Sequence, residues 1–499
     1  MLTFNYLAMR RNICTKIYLV LLLIGLGACN DELVNMTPDS DLTNADFFKT
    51  SSDLDLAVIG VYSSLQVRKP TDYLLLELPT DNLYRSTYTS AAGANEVDNM
   101  AITPENPLFA LFWENTYYGI VRANTVLANI EVPTDYKAGQ KEQLAGEAKF
   151  MRALFYFDLV RLYGDVPKIT SLLSAEEAKV ATRTPAEEVY TLIIADLKEA
   201  IEQLPLQANT AKGRATKGAA AALLGKVYVY RKDWANAKTY LDLVPAFGHR
   251  LLPNFASLWK LENEDNNEFI FTMKYTDGTN GHRLTSDFLP FGGKTGISSA
   301  GLEGVFPSWD LHKLYEPGDT RKAATINEYY KAPTPANAPT IWFPHVNKFE
   351  VKQTNQASGI DLPVLRYADM VLLLAETYFG LKQPDLALQE LNKVRARAFG
   401  DNSHNYTLAD IATPESFLEK LLLERRLELA FENERWFDLV RTDRVVQELS
   451  QEERGYNFDT KTPLRVTLQP KPHYKFFPVP LRQIQRVSPG ALSQNDGYN

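Results

Sequence analysis

From Asp46 onward the apolar residues recur at helical spacing. Leu54, Ala57, Val58, Val61 and Leu65 mark one face of a helix over 46–65. A second pattern covers 108–130, with Phe112, Tyr117, Ile120, Val121, Asn124 and Leu127, and a long one covers 139–162. The segment 185–203 carries start signals: Thr184 is the expected N-cap, Pro185 sits in the first turn, and Glu187 and Glu188 face the positive end. Residues 415–449 are helical again, and Phe476-Phe477-Pro478-Val479-Pro480 opens an extended tail.

Two segments share one frame. Gly225, Tyr228, Ala237, Leu241 and Val244 have the same spacing as Ala375, Tyr378, Ala387, Leu391 and Val394. Each predicts helix, short turn, helix, and the small–aromatic–Ala–apolar order matches the tetratricopeptide repeat, where small residues let paired helices approach. Generic helical hairpins are the alternative. A third, split copy would join 139–162 to Ile193, Leu197, Ala200 and Pro205 across Gly164-Asp165-Val166-Pro167. Between the repeats, 250–363 loses helical periodicity and shows short β-like runs such as Phe269-Ile270-Phe271-Thr272-Met273; 79–107 is irregular too. Long irregular stretches inside a folded chain are usually functional. The expected fold is mainly α: a tetratricopeptide-like scaffold of helical pairs with an irregular, loop-rich lobe carrying short strands.

The N-terminus has a different character. Arg10, Arg11 and Lys16 precede the apolar run Ile17 to Leu26, and Leu26-Gly27-Ala28-Cys29 follows it. That order is a secretory signal, and about ten apolar residues are too few to span a bilayer that needs roughly 20. The ending resembles a bacterial lipobox, so Cys29 is expected to carry lipid and begin the mature chain; Met9 is an alternative start to Met1. The expected organisation is signal 1–28, lipidated tether 29–42 and a single domain 43–499, with helical repeats over about 108–249 and 364–449 and the lobe over about 250–363. Loss of 1–28 moves the net charge from -8 to -11. An acidic chain argues against sequence-independent nucleic-acid binding, which depends on Lys and Arg. Cys14 leaves with the signal, so no disulfide is available and stability must come from core burial.

Several stretches, in this order, resemble the SusD/RagB family of outer-membrane nutrient-binding lipoproteins. They are Tyr118-Gly119-Ile120-Val121-Arg122-Ala123-Asn124; Gly146 to Ala153 leading to Tyr163-Gly164-Asp165-Val166-Pro167; Leu365-Arg366-Tyr367-Ala368-Asp369; Glu424 to Glu432 followed by Arg435-Trp436-Phe437-Asp438-Leu439; and Gln494-Asn495-Asp496-Gly497-Tyr498. The resemblance implies capture of oligosaccharide, or of peptide as in RagB, for a TonB-dependent porin of the SusC type. It also implies outward display from the outer membrane, which Asp31 and Glu32 after the lipid site support.

Chemistry for catalysis is sparse. Gly293-Lys294-Thr295 lacks the glycine a phosphate loop needs five places earlier, where Phe288 stands. There is no Gly-x-Ser-x-Gly elbow and no His-Glu-x-x-His, and the six histidines are scattered. The reading is a binding protein, not an enzyme, with no cofactor or metal. A lipid-anchored hydrolase and a protein-interaction module without a small ligand are the rivals. Sugar capture needs flat aromatic faces and a few polar groups in a concavity. The candidates are Asp81, Tyr84, Arg85 and Tyr88 in the first irregular stretch, and Phe288, Phe291 and Trp342 in the second, with Asn82, His282, Arg283 and Phe343 nearby. Asp81 and Arg85 are implied by the family; the aromatics follow from local chemistry. Trp113, Trp234, Trp259, Trp309 and Trp436 lie on or beside helices and are read as core. Glu424-Arg425-Arg426-Leu427-Glu428 alternates in sign beside an apolar stripe and is read as a solvated or salt-bridged face.

Overall fold

The computed structural model describes residues 47–87, 91–354 and 356–498; the expected signal, Cys29 and its tether, and Tyr88 lie outside them. The helical periodicity resolves into ten principal helices among the described residues. They are α1 Ser51–Arg68, α2 Pro107–Asn129, α3 Gln140–Tyr163, α4 Ala186–Gln203, α5 Lys217–Tyr230, α6 Trp234–Leu241, α7 Tyr367–Gly380, α8 Pro384–Phe399, α9 Pro414–Leu429 and α10 Arg435–Arg441. Each packs on the next in order, α6 meeting α7 across the long intervening lobe. This is the stack of helical pairs that the repeats predict.

Local chemistry sets the boundaries. Thr50 and Asp53 form a reciprocal capping box at α1, and Asn106 caps α2 ahead of Pro107. Thr184 does not cap α4. The N-cap position is Pro185, which makes no side-chain cap bond, and Thr184 pairs with Val166 in an isolated bridge. The carboxylate of Asp165 reaches over from the preceding loop and accepts from Ala186 N at 2.8 Å. The small residue of the first repeat is required sterically: a Cβ on Gly225 would stand 2.7 Å from Leu241 Cδ2. A Cβ on Gly380 would strike the Trp234 ring at 2.6 Å, so the second repeat closes directly on the first.

In and around the lobe, the described residues form eight short strands in four antiparallel pairs. β1 Leu83–Arg85 pairs with β3 Val305–Pro307, β2 Phe269–Met273 with β6 Leu362–Arg366, β4 Ile326–Lys331 with β5 Thr340–Val346, and β7 Gln451–Asn457 with β8 Thr462–Thr467. The β7–β8 hairpin fills the stretch between the expected helix and the expected tail, and the short helix Leu481–Arg486 departs from the extended tail. The side chains of β8 are all exposed or half-buried and do not alternate between the two, so no apolar period of two betrays the strand.

The lobe is joined to the helices by charge. Arg366, at the end of β6, donates to Glu268 (2.7 Å), Glu428 (2.6 Å) and Glu432 (2.7 and 2.8 Å). Arg321 holds Asp319 and Glu424, and Lys348 holds Glu432 together with the carbonyls of Glu428 and Ala430. The helices are joined to one another in the same way: Arg425 spans Asp369 and Asp438, both at 2.7 Å, and Lys226 reaches Asp369 at 2.9 Å. The charged stretch of α9 is therefore salt-bridged but not solvated: Glu424, Arg425 and Glu428 are buried. Burial alone would raise the Glu428 carboxyl, but Arg397, Arg366 and Arg321 outweigh it and hold it well below the usual carboxylate range. Lys226 and Arg425 do the same for Asp369 against its burial.

Two outcomes follow. Arg366→Met leaves three buried carboxylates short of a partner and costs about 3–5 kcal/mol in urea unfolding, since breaking one side of a buried pair strands the other. Carboxyls whose folded pKa lies below the unfolded value stabilise fully above the ordinary carboxylate range and lose that contribution as pH falls through it. The urea midpoint therefore drops from pH 6 to pH 3; a flat profile would contradict the ion-pair joint.

Candidate ligand-binding face

The strand pairs of the lobe bring aromatic rings onto one face. The β1–β3 register sets Tyr84 opposite Phe306, and the two rings stack at 5.2 Å with a 26° tilt. In the β4–β5 hairpin, Asn327 pairs with His345 but Tyr329 pairs with Trp342, so two steps along β4 match three along β5. Such a bulge re-aims side chains. Trp342 and Phe343 both reach Phe458, at 6.3 and 4.5 Å, the second parallel within 13°. Ser308 caps the short helix Trp309–Leu314 and delivers Trp309 to within 6.3 Å of Trp342 and 5.3 Å of Tyr456. Tyr330 completes the group, 5.7 Å from Phe343.

Phe306 and Tyr456 form the buried floor. Tyr84, Trp309, Tyr330, Trp342, Phe343 and Phe458 are half-buried and leave ring surface to solvent. Lys461 lies over Trp342 at 5.8 Å. The polar rim is held in place. His312 Nε2 donates to Glu328 at 2.5 Å, and Lys322 meets the same carboxylate at 3.1 Å. Burial pushes the His312 imidazole down, which keeps it neutral near pH 7. Beneath the hairpin, Lys294 Nζ donates to both oxygens of Glu350 (2.7 Å) and to His345 Nε2 (3.0 Å), while His345 Nδ1 donates to the Phe343 carbonyl (2.8 Å). These bonds pin the 291–301 loop under the rings. Flat apolar surfaces edged by fixed donors and acceptors suit stacking against sugar C–H faces. Among the described residues no cluster of His, Cys, Asp and Glu could hold a metal ion, and no helix is long and apolar enough to cross a membrane.

Of the candidates read from sequence, Tyr84, Arg85 and Trp342 sit on or beside this face. Phe291 is 60% exposed, and its carbonyl accepts from Tyr330 Oη at 3.4 Å. Phe288 is 2% exposed and packs on Tyr73 at 5.0 Å, inside the lobe. Asp81 is likewise interior. Its carboxylate takes two bonds from Arg435, at 2.8 and 2.6 Å, and a third contact from Arg426 at 2.9 Å. Its own burial opposes ionisation, yet the two arginines hold it down at about 2. His282 donates inward to the Ile360 carbonyl. Trp309 was expected in the core and stands on the face; Phe306, Tyr330, Tyr456 and Phe458 join it. Their signal in the sequence is aromatic residues within short non-helical runs, Tyr329-Tyr330 and Tyr456-Asn457-Phe458.

Comparison with known proteins gives consistent findings. A family profile described as the SusD family matches residues 320–498, and one described as starch-binding, associating with the outer membrane, matches 33–229. SusD-like protein P2 of Formosa agariphila is 27% identical over 522 residues, covering 97% of this chain and 99% of that protein. A solved laminarin-binding SusD-like protein superposes with TM-score 0.73 at 27% identity, covering 90% of this chain and 100% of that one. Surface glycan-binding protein A of Bacteroides fluxus shares the fold, with TM-score 0.71 at 22% identity over 88% of this chain and 99% of its own.

The placement of Asp81 has a direct consequence. Asp81→Ala strands two buried guanidinium groups and lowers stability by about 3–5 kcal/mol in urea unfolding; a variant as stable as the parent would contradict an interior role.

Proposed function

This chain belongs to the SusD/RagB family, and from that premise we propose that it captures oligosaccharides on the aromatic face and passes them to a SusC-like TonB-dependent transporter of the outer membrane. The carrying observation is the panel of six half-buried rings set on a rigid floor, with no metal-ligating cluster beside it among the described residues. The acids at the rim are engaged: Glu328 with His312 and Lys322, Glu303 with Ser86 Oγ and Phe291 N, and Glu453 with Lys313. A rim so occupied favours binding over hydrolysis. The laminarin-binding relative supports a carbohydrate, and the profile naming the outer membrane supports the location.

Lipidation at Cys29 and outward display belong to the same reading; the first rests on the Leu-Gly-Ala-Cys sequence and the second on Asp31 and Glu32 after it. A groove of about 540 Å³ between α2 and residues 167–181 offers exposed Tyr118, Val121, Leu172 and Leu173 away from the rings. It is the surface we assign to the transporter.

Calorimetry against a panel of neutral glycans, including laminarin and starch oligosaccharides, is the test. Binding without product release is expected, with Trp342→Ala and Tyr84→Ala each at least about tenfold weaker, a loss of about 1.4 kcal/mol or more. Binding of peptides but no glycan would overturn the ligand assignment, and released sugars would overturn the non-catalytic one. In cells, radiolabelled palmitate enters the parent and not Cys29→Ser, which is released from the membrane; equal labelling would refute the anchor.

A further inference from the structure

A second concavity, of about 310 Å³, opens where the end of α1 meets the turn that follows β2. Its volume falls in the range of small-ligand pockets. The walls combine apolar surface from Val67, Pro70, Tyr275 and Leu284 with polar groups from Gln66, Thr71, Asn280, Arg283 and Asp287. None of these belongs to the aromatic face.

The frame is built rather than incidental. Tyr275 Oη donates to the Gln66 carbonyl at 2.6 Å, and Gln66 Nε2 returns a bond to the Lys274 carbonyl at 2.6 Å. Tyr275 also meets His282 edge to face at 4.5 Å. Within that frame two charges remain underused. The Arg283 side chain is exposed, and its guanidinium acts through charge on Asp287 and Tyr73, with no side-chain hydrogen bond among the described residues. Asp287 is half-buried, with the Tyr73 phenol as its hydrogen-bond partner, and burial pushes its carboxyl up to about 6. Its carboxyl oxygens retain lone pairs for further donors.

We propose that this pocket is a second saccharide subsite, for one neutral hydroxyl-rich ring. A carboxylate and a guanidinium side by side match vicinal hydroxyls, which donate to one and accept from the other. The opposed charges disfavour ligands of either sign: an anion meets Asp287 and a cation meets Arg283. Tyr275, Val67 and Leu284 supply the apolar surface for the ring's C–H face. The pocket is mechanically continuous with the first site, because the Asp287 carbonyl accepts from Gly304 N at 2.7 Å, one residue before β3. The inference rests on the glycan-binding reading, extending it from one contact surface to two.

Hydrogen exchange of the full chain with glucose, galactose, mannose or xylose tests it, with glucosamine and glucuronate as charged controls. At least one neutral sugar is expected to protect residues 276–287, and the controls are not. Arg283→Ala combined with Asn280→Ala, both at exposed side chains, weakens that protection about tenfold. Trp342→Ala leaves it intact. Absence of protection by all four neutral sugars, or protection unchanged in the double variant, overturns the subsite. If Trp342→Ala still abolishes polysaccharide binding in that case, the first site stands without the second.

Discussion

Four stretches far apart in sequence converge on α9 and the turn after it through charges withdrawn from water. Asp81 meets Arg426 and Arg435, Arg321 meets Glu424, Lys348 meets Glu432, and Arg366 meets Glu428 and Glu432. A buried charge without its partner costs several kcal/mol, so each pairing tolerates one position of the attached segment. The irregular lobe has few regular hydrogen bonds of its own, only four two-stranded pairs among the described residues. Its shape is set from outside, by the helix it is bolted to.

The aromatic face inherits its geometry from that joint. Tyr84 follows Asp81 by three residues, and the strand bearing Trp342 and Phe343 runs into Lys348. Trp309 follows Ser308, whose hydroxyl is bonded to the Asp81 carbonyl and whose N–H donates to the Asn82 carbonyl at 2.8 Å. Rings placed this way are ordered before any ligand arrives, so little conformational entropy is lost on stacking. The floor of Phe306 and Tyr456 keeps the outer rings from collapsing inward. A preformed surface with its rim carboxylates engaged is suited to reversible capture.

The helical stack was legible because its periodicity is local. Gly225 and Leu241 sit at the spacing the repeat demands, and the structure shows the contact that forbids a larger residue. The β-like run at 269–273 was also visible, as an apolar block outside any helical period. The site was less legible, for a physical reason. The family resemblance implies Asp81 as a ligand contact, and nothing near it announces Arg426 and Arg435, more than 340 residues away. Phe288 and Phe291 look alike in sequence, yet one closes the lobe core and the other faces water. Trp309 begins a helix and so resembled a core residue, while the turn of the β7–β8 hairpin, which brings Phe458 over Phe343, has no period to find. Thr184 had the right chemistry for a cap, but Asp165 supplied it from another segment.

Hydrogen exchange with and without a saturating neutral glycan bears most directly on the claim that a rigid ion-pair joint presents a ready-made aromatic surface. Protection is expected to rise at 305–312 and 340–346, with α9 exchanging at the same slow rate in both states. Glycan binding that leaves those two stretches unchanged, or that loosens α9 as it proceeds, would contradict the account.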